Sequence, residues 1–181
     1  MSVLAQRLIA VHNALDTAGI KHAFGGAIAL AYCTFDPRAT QDLDINIFVP
    51  VSDQKKVLEA LPPEVKITAA NRREITGSGQ TRLWWETTPV DVFFNTHPFH
   101  EQAASRIRTV PFDGHTIPVL DCLALAVFKA MFNRTKDWAD LEAMNEAHQL
   151  NLPALHSTLT DLLGPDDPRI PKLNTLTPER A

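Results

Sequence analysis

The chain has 181 residues, 45% of them hydrophobic, and its 17 lysines and arginines against 21 aspartates and glutamates leave a formal net charge of −4. That balance argues against a protein that coats nucleic acid, because such binding gains most from a basic surface that releases counterions, although a local basic patch is compatible with it. No run approaches membrane-spanning length, and residues 1–11 lack the positive segment followed by an apolar stretch of a secretory signal, so a cytoplasmic protein with no membrane partner is expected.

Leu4, Leu8, Val11 and Leu15 recur at helical spacing and Gly19 follows as a stop, which predicts a first amphipathic helix. Lys21 to Phe24 reads as a short extended run ending at Gly25-Gly26, and Ala27 to Cys33 as a compact alanine-rich helix. A loop over 36–40 leads into Gln41 to Val49, where polar and apolar residues alternate as on a strand with one buried face. A helix over about 52–61 is closed by Pro62-Pro63. Further strands are expected at 65–70 and 81–87, with Gly77-Ser78-Gly79 as the turn between them. Val90 to Phe94 is another strand, with Val90, Val92 and Phe94 on one face and Asp91 and Phe93 on the other. Leu120 to His148 predicts two helices meeting near 133–136, and 153–163 a third. Residues 164–181 are proline-rich with little periodicity, either a tail packed over the core or disordered. The organisation expected is a core over 1–118, a helical segment over 119–164 and a tail over 165–181.

Asp42 and Asp44 alternate with apolar residues, so both carboxylates project from one strand face about 7 Å apart, where they repel unless a cation lies between them. Magnesium suits such hard oxygen ligands and completes its shell with water and phosphate, which points to phosphoryl or nucleotidyl transfer. The competing structural reading is a solvated acidic strand face at a sheet edge. Asp91 shifts the balance, because three carboxylates on neighbouring strands can hold two magnesium ions about 4 Å apart. Gly25-Gly26 between strand and helix either makes a tight turn or lets backbone amides and the helix dipole approach a phosphate. Cys33 and Cys122 each read as a small buried thiol. A zinc site at His97, His100 and His115 is not expected, since no cysteine is near and Pro98 breaks the spacing. Trp84 and Trp85 must face opposite ways, one into the core and one outward where it could stack on a base.

Phe24-Gly25-Gly26 followed by Asp42-Leu43-Asp44-Ile45 resembles the signature of the polymerase-beta-like nucleotidyltransferase superfamily. Arg38-Ala39-Thr40-Gln41-Asp42-Leu43-Asp44-Ile45 is closer still to small bacterial members, antibiotic nucleotidyltransferases and toxins of the AbiEii and MenT type. Lys129, Arg134 and Lys136-Asp137-Trp138-Ala139-Asp140-Leu141 extend the likeness, which runs from about Phe24 to Leu141. The resemblance implies an α/β (α+β) nucleotidyltransferase fold, a small mixed sheet flanked by helices and followed by a C-terminal helical segment. It further implies Asp42, Asp44 and Asp91 as metal ligands and catalytic acids, Gly25, Gly26, Arg38 and Lys129 as nucleotide contacts, and Asp137 as an additional candidate. Many relatives carry a serine where this chain has Gly26, which leaves the phosphates to backbone amides. The implied cofactor is magnesium, two ions, with an NTP as substrate and pyrophosphate as product. The acceptor is a tRNA end, approached over Arg72, Arg73, Arg82, Arg106 and Arg108 if these cluster, or a small molecule such as an antibiotic, and an antitoxin partner would accompany a toxin. The alternative is a catalytically silent nucleotide-binding regulatory module.

Overall fold

A computed structural model describes residues 2–176 of the chain. The last stretch of the expected tail, 177–181, lies outside the described residues. By their contacts the described residues form two compact units, one of residues 2–28 and 39–120, the other of 29–38 and 121–176.

The first unit holds the sheet. Among the described residues its strands are β1 (His22–Phe24), β2 (Leu43–Pro50), β3 (Val65–Lys66), β4 (Gln80–Trp85), β5 (Thr88–Asn95), β6 (Arg108–Phe112) and β7 (His115–Val119). They lie in the order β3-β4-β5-β2-β1-β7-β6. β2 runs parallel to β5 and antiparallel to β1, so the sheet is mixed as expected. Alternation decides what each strand buries: Leu43, Ile45 and Ile47 of β2 and Val90, Val92 and Phe94 of β5 are all buried on the same side. The first helix, α1 (Val3–Thr17), packs Leu8, Val11 and Leu15 inward. Its N-cap is Ser2, whose hydroxyl accepts from the Ala5 amide at 3.1 Å. A short 3-10 turn and α3 (Gln54–Ala60) follow β2.

Residues 65–70 correct the expectation of a strand. Only Val65 and Lys66 pair with β4, and Ala69–Ser78 is a helix, α4. Thr68 caps it in a reciprocal box with Asn71, and Gly79 closes it at φ +72°. The cap and the two alanines that follow outweigh the apolar start of the segment, and only Ile75 of the helix is buried. Two elements were not anticipated at all. Phe99–Ser105 forms a helix, α5, and 108–119 folds as the β6–β7 hairpin around Asp113 (φ +48°) and Gly114 (φ +81°), a pair suited to a tight primed turn.

The second unit is helical. It takes the larger part of α2 (Gly26–Thr34), then α6 (Cys122–Phe132), α7 (Thr135–Glu146), α8 (Leu152–Leu163) and α9 (Arg169–Lys172). Helices expected at 120–148 and 153–163 are present, and the proline-rich stretch contributes α9 and a 3-10 turn that bury Ile170, Leu173 and Leu176. Cys33 and Cys122 are not separate thiols: they form a disulfide between the end of α2 and the start of α6, across 89 residues of sequence. Spacing that long carries no local signal, so the pairing is visible only once the two helices are side by side. Among the described residues no helix is long and apolar enough to cross a membrane.

Candidate active site

Two of the three acids lie on β2 and β5. Because the two strands are parallel and in register, Asp44 lies directly beside Asp91, with Leu43 beside Val90 and Ile45 beside Val92. Neighbouring strands are about 4.8 Å apart, so the two side chains on the face opposite the core are close neighbours. Asp42 stands two residues upstream of Asp44, just before β2 begins, and accepts a hydrogen bond from the Thr40 hydroxyl at 2.6 Å.

Gly25-Gly26 joins β1 to α2, and the structure shows why no side chain fits there. Gly26 has φ +51°, and a Cβ placed on it would lie 1.9 Å from Oδ2 of Asp44. The bare glycine is therefore the space in which the Asp44 carboxylate sits, at the N-terminal end of α2 where an anion is favoured. The expectation that both glycine amides face a phosphate is corrected in one respect: the Gly25 N–H donates to the Asp44 carbonyl at 2.8 Å, continuing the β1–β2 ladder, so that donor is already engaged.

Asp91 has a partner that sequence reading assigned elsewhere. Arg82 of β4 lies opposite it in the antiparallel register and grips both carboxylate oxygens, Nε to Oδ1 and Nη2 to Oδ2, each at 2.7 Å. This bidentate bond raises the guanidinium's hold on its proton, and the charges of Asp91, Asp42 and Asp44 add to the effect. All three acids are thus near enough to be felt by one guanidinium. The signal that could have found the pair is the alternation of β4, which puts Arg82 on the same face as Trp84, 43% exposed.

The five arginines do not form one surface. Arg72 and Arg73 are on α4 and Arg82 on β4, near one edge of the sheet, whereas Arg106 and Arg108 are at the other, five strand steps or about 24 Å away. Trp84 and Trp85 do face opposite ways. Trp85 is half-buried beneath the Arg7 guanidinium, 5.6 Å from its ring centre.

Arg38, Lys129 and Asp137 belong to the second unit, where they meet carboxylates or other cations. Lys129, only 7% exposed, is ion-paired with Asp140 and lies 3.9 Å from Asp137, and Arg38 also donates to Asp140. Asp137 is fully buried and closes the first turn of α7, accepting from the Arg134 amide at 3.1 Å and from its Nε at 2.7 Å. Burial pushes its carboxyl up, but the Arg134 hydrogen bonds and charge, with the charge of Lys129, bring it below the ordinary range.

The donor chemistry of Asp42, Asp44 and Asp91 fits a hard divalent cation, being oxygen throughout and carried on adjacent positions of one sheet face. Their convergence is incomplete: among the described residues no three histidine, cysteine, aspartate or glutamate side chains are arranged closely enough to hold an ion, and the third acid is bound by Arg82.

No protein-family model matches the chain, and no curated protein matches it in sequence. Solved structures do. The solution structure of the antibiotic-resistance factor ANT(2'')-Ia superposes with a TM-score of 0.58 at 9% identity, covering 88% of this chain and 90% of that one. A crystal structure of ANT(2'')-Ia in complex with adenylyl-2''-tobramycin gives 0.53 at 10% identity, over 97% and 95%. An antigenic nucleotidyltransferase-like protein from Paracoccidioides brasiliensis gives 0.50 at 16% identity, over 97% and 93%. The chain has the nucleotidyltransferase fold.

Proposed function

We propose that this chain is a nucleotidyltransferase that moves an NMP from an NTP to an acceptor and releases pyrophosphate. The single observation that carries the reading is the register of Asp44 against Asp91, with Asp42 two residues away and a glycine cleared to receive the Asp44 carboxylate. Three mutually repelling acids on one face cost stability unless they serve a cation. Asp42, Asp44 and Asp91 would hold magnesium, which when bound screens the triphosphate and acidifies the acceptor hydroxyl. The chain's own part is positional. Thr40 orients Asp42, Gly26 seats Asp44, and Asp91 lies beside Asp44, where an Oδ could take the proton that leaves the acceptor hydroxyl.

For the acceptor, the five arginines lie towards both sheet edges and so do not by themselves support the basic approach surface that a tRNA end would call for. The ANT(2'')-Ia complex holds an adenylylated antibiotic, which supports a hydroxyl of a small molecule as the acceptor class. A toxin acting on tRNA, held by an antitoxin, is the competing acceptor reading, and a silent nucleotide-binding module the competing reading of the site. One assay separates them: labelled NTPs and magnesium, with an aminoglycoside panel in one arm and total tRNA in the other. Pyrophosphate release with a drug, lost in Asp44→Asn with the fold intact, is the expected result. Release only with tRNA selects the toxin, and tight NTP binding without turnover in any arm refutes the transferase.

A further inference from the structure

Arg82 stands where a cation ligand ought to be open, and its geometry suggests a purpose. Cross-strand ion pairs are common and give a sheet only modest support. This one falls on an acid of the site: the residue opposite Arg82 is Asp91, which is also in register with Asp44. Without a cation the three acids carry three negative charges on one face, and Arg82 returns one positive charge to them. A bound divalent cation supplies two, which makes the guanidinium redundant at Asp91. An incoming triphosphate would offer the freed guanidinium a new anionic partner.

The exchange is feasible because the guanidinium half of the pair is exposed. The Arg82 side chain is 51% accessible and that of Asp91 15%, so the guanidinium can swing away through solvent. Exposed ion pairs are worth about fivefold or less in an equilibrium, so letting go is a small obstacle. Arginine's planar fork suits both partners, since it grips a carboxylate and a phosphate with the same pair of parallel N–H bonds.

We propose that Arg82 is an exchangeable counter-ion of the site: it holds Asp91 while no cation is bound, yields Asp91 to the cation, and passes to the phosphates of the nucleotide. This rests on the transferase reading above. Arg82 is thus a positioning residue in the free protein and a nucleotide contact in the loaded one.

The test measures binding, not turnover. Manganese, a spectroscopic stand-in for magnesium, is titrated by electron paramagnetic resonance into wild type, Arg82→Gln and Arg82→Lys without nucleotide. Removing the competing pair from a ligand predicts that Arg82→Gln binds manganese more tightly, by up to about fivefold. Arg82→Lys keeps the charge without the fork and falls between. With manganese saturating, a non-hydrolysable NTP analogue binds Arg82→Gln more weakly than wild type by about tenfold. Thermal melts of both variants confirm the fold. Equal manganese affinity in wild type and Arg82→Gln, or unchanged analogue affinity, overturns the exchange while leaving the transferase reading standing. Manganese binding that is absent from wild type, or indifferent to Asp44→Asn, overturns both.

Discussion

Replacing Gly26 by alanine tests the seat of Asp44 with a single methyl group. Two costs add. Holding an alanine at φ +51° costs about 1–2 kcal/mol, because the Cβ then crowds the following carbonyl. The new Cβ would also lie 1.9 Å from Asp44 Oδ2 and 2.6 Å from its Cγ, so the carboxylate must turn out of its rotamer, at about 0.5–1.5 kcal/mol. The sum is about 1.5–3.5 kcal/mol, which for a chain of this size lowers the melting midpoint by about 3–14 °C. Gly114 supplies the control, with φ +81° and nothing within 4 Å of the place a methyl would take, so Gly114→Ala carries the backbone cost alone. A second control is the double variant. In an Asp44→Ala background the carboxylate is gone, and Gly26→Ala should fall back to the backbone cost of about 1–2 kcal/mol. Urea unfolding of the four variants measures these differences, and a manganese titration reports whether displacing Asp44 weakens cation binding. If Gly26→Ala costs no more than Gly114→Ala and costs the same with and without Asp44, the glycine is only a turn and the account of the seat is wrong.

The His12–His22 pair makes stability depend on pH. His22 Nδ1 contacts the Ile20 carbonyl at 2.8 Å and its Nε2 contacts His12 Nδ1 at 3.0 Å; burial is the main cause that lowers both imidazoles below their ordinary 6.5, with Asp16 opposing and His115 adding to the effect on His12. A lowered folded value means the unfolded chain binds the extra protons first, so the pair's contribution is complete above pH 6.5 and is lost as pH falls towards the depressed folded values. Urea midpoints from pH 7.5 to 5 should therefore drop less steeply in His22→Gln than in wild type, and parallel slopes would refute the assignment. In the second unit, Asp140→Ala leaves Lys129 buried without its nearest carboxylate and should cost about 3 kcal/mol, read from Trp138 fluorescence during urea unfolding, with Lys129→Met recovering most of the loss in the double variant. A cost under about 1 kcal/mol would mean the lysine is held by something other than this pair.

Local patterns carried part of the candidate site. The alternation around Asp44 and again around Asp91 was enough to put these two acids on one sheet face, because strand periodicity is a property of neighbouring residues, while Asp42 precedes the strand. Glycine at a strand-to-helix turn was equally legible, although its service to Asp44 was not, since that depends on a contact between residues 18 apart. Two of the contacts that sequence reading missed were non-local: the Cys33–Cys122 bond and the burial of Lys129 against Asp140 each join residues whose meeting is decided by packing. The grip of Arg82 on Asp91 follows instead from the β4–β5 hairpin register, whose alternation was present in the residues. The misread strand at 65–70 is a different failure: Thr68 and Asn71 form a local capping box that outweighed the apolar run, and the signal was present in the residues.

The two missed ion pairs have a common cause in charge balance. A carboxylate displaced from water needs a counter-charge, and each unit of this chain supplies one differently. In the second unit Asp140 is buried and its cation, Lys129, is buried with it, so the pair is fixed and its loss is a matter of stability. On the sheet face Asp91 is only partly covered and its cation is half in solvent, so the pair is weak and its loss is cheap. A weak, solvent-facing counter-ion is what a site needs if a stronger cation is to take its place. The contrast makes the difference between the arginine pair and the lysine pair a functional one: Asp140→Ala should change the unfolding curve and Arg82→Gln should leave it almost unmoved while changing metal affinity. Were the two variants to behave alike, with both felt mainly as lost stability, Arg82 would be a strut of the sheet and the acids of β2 and β5 would have no exchangeable partner.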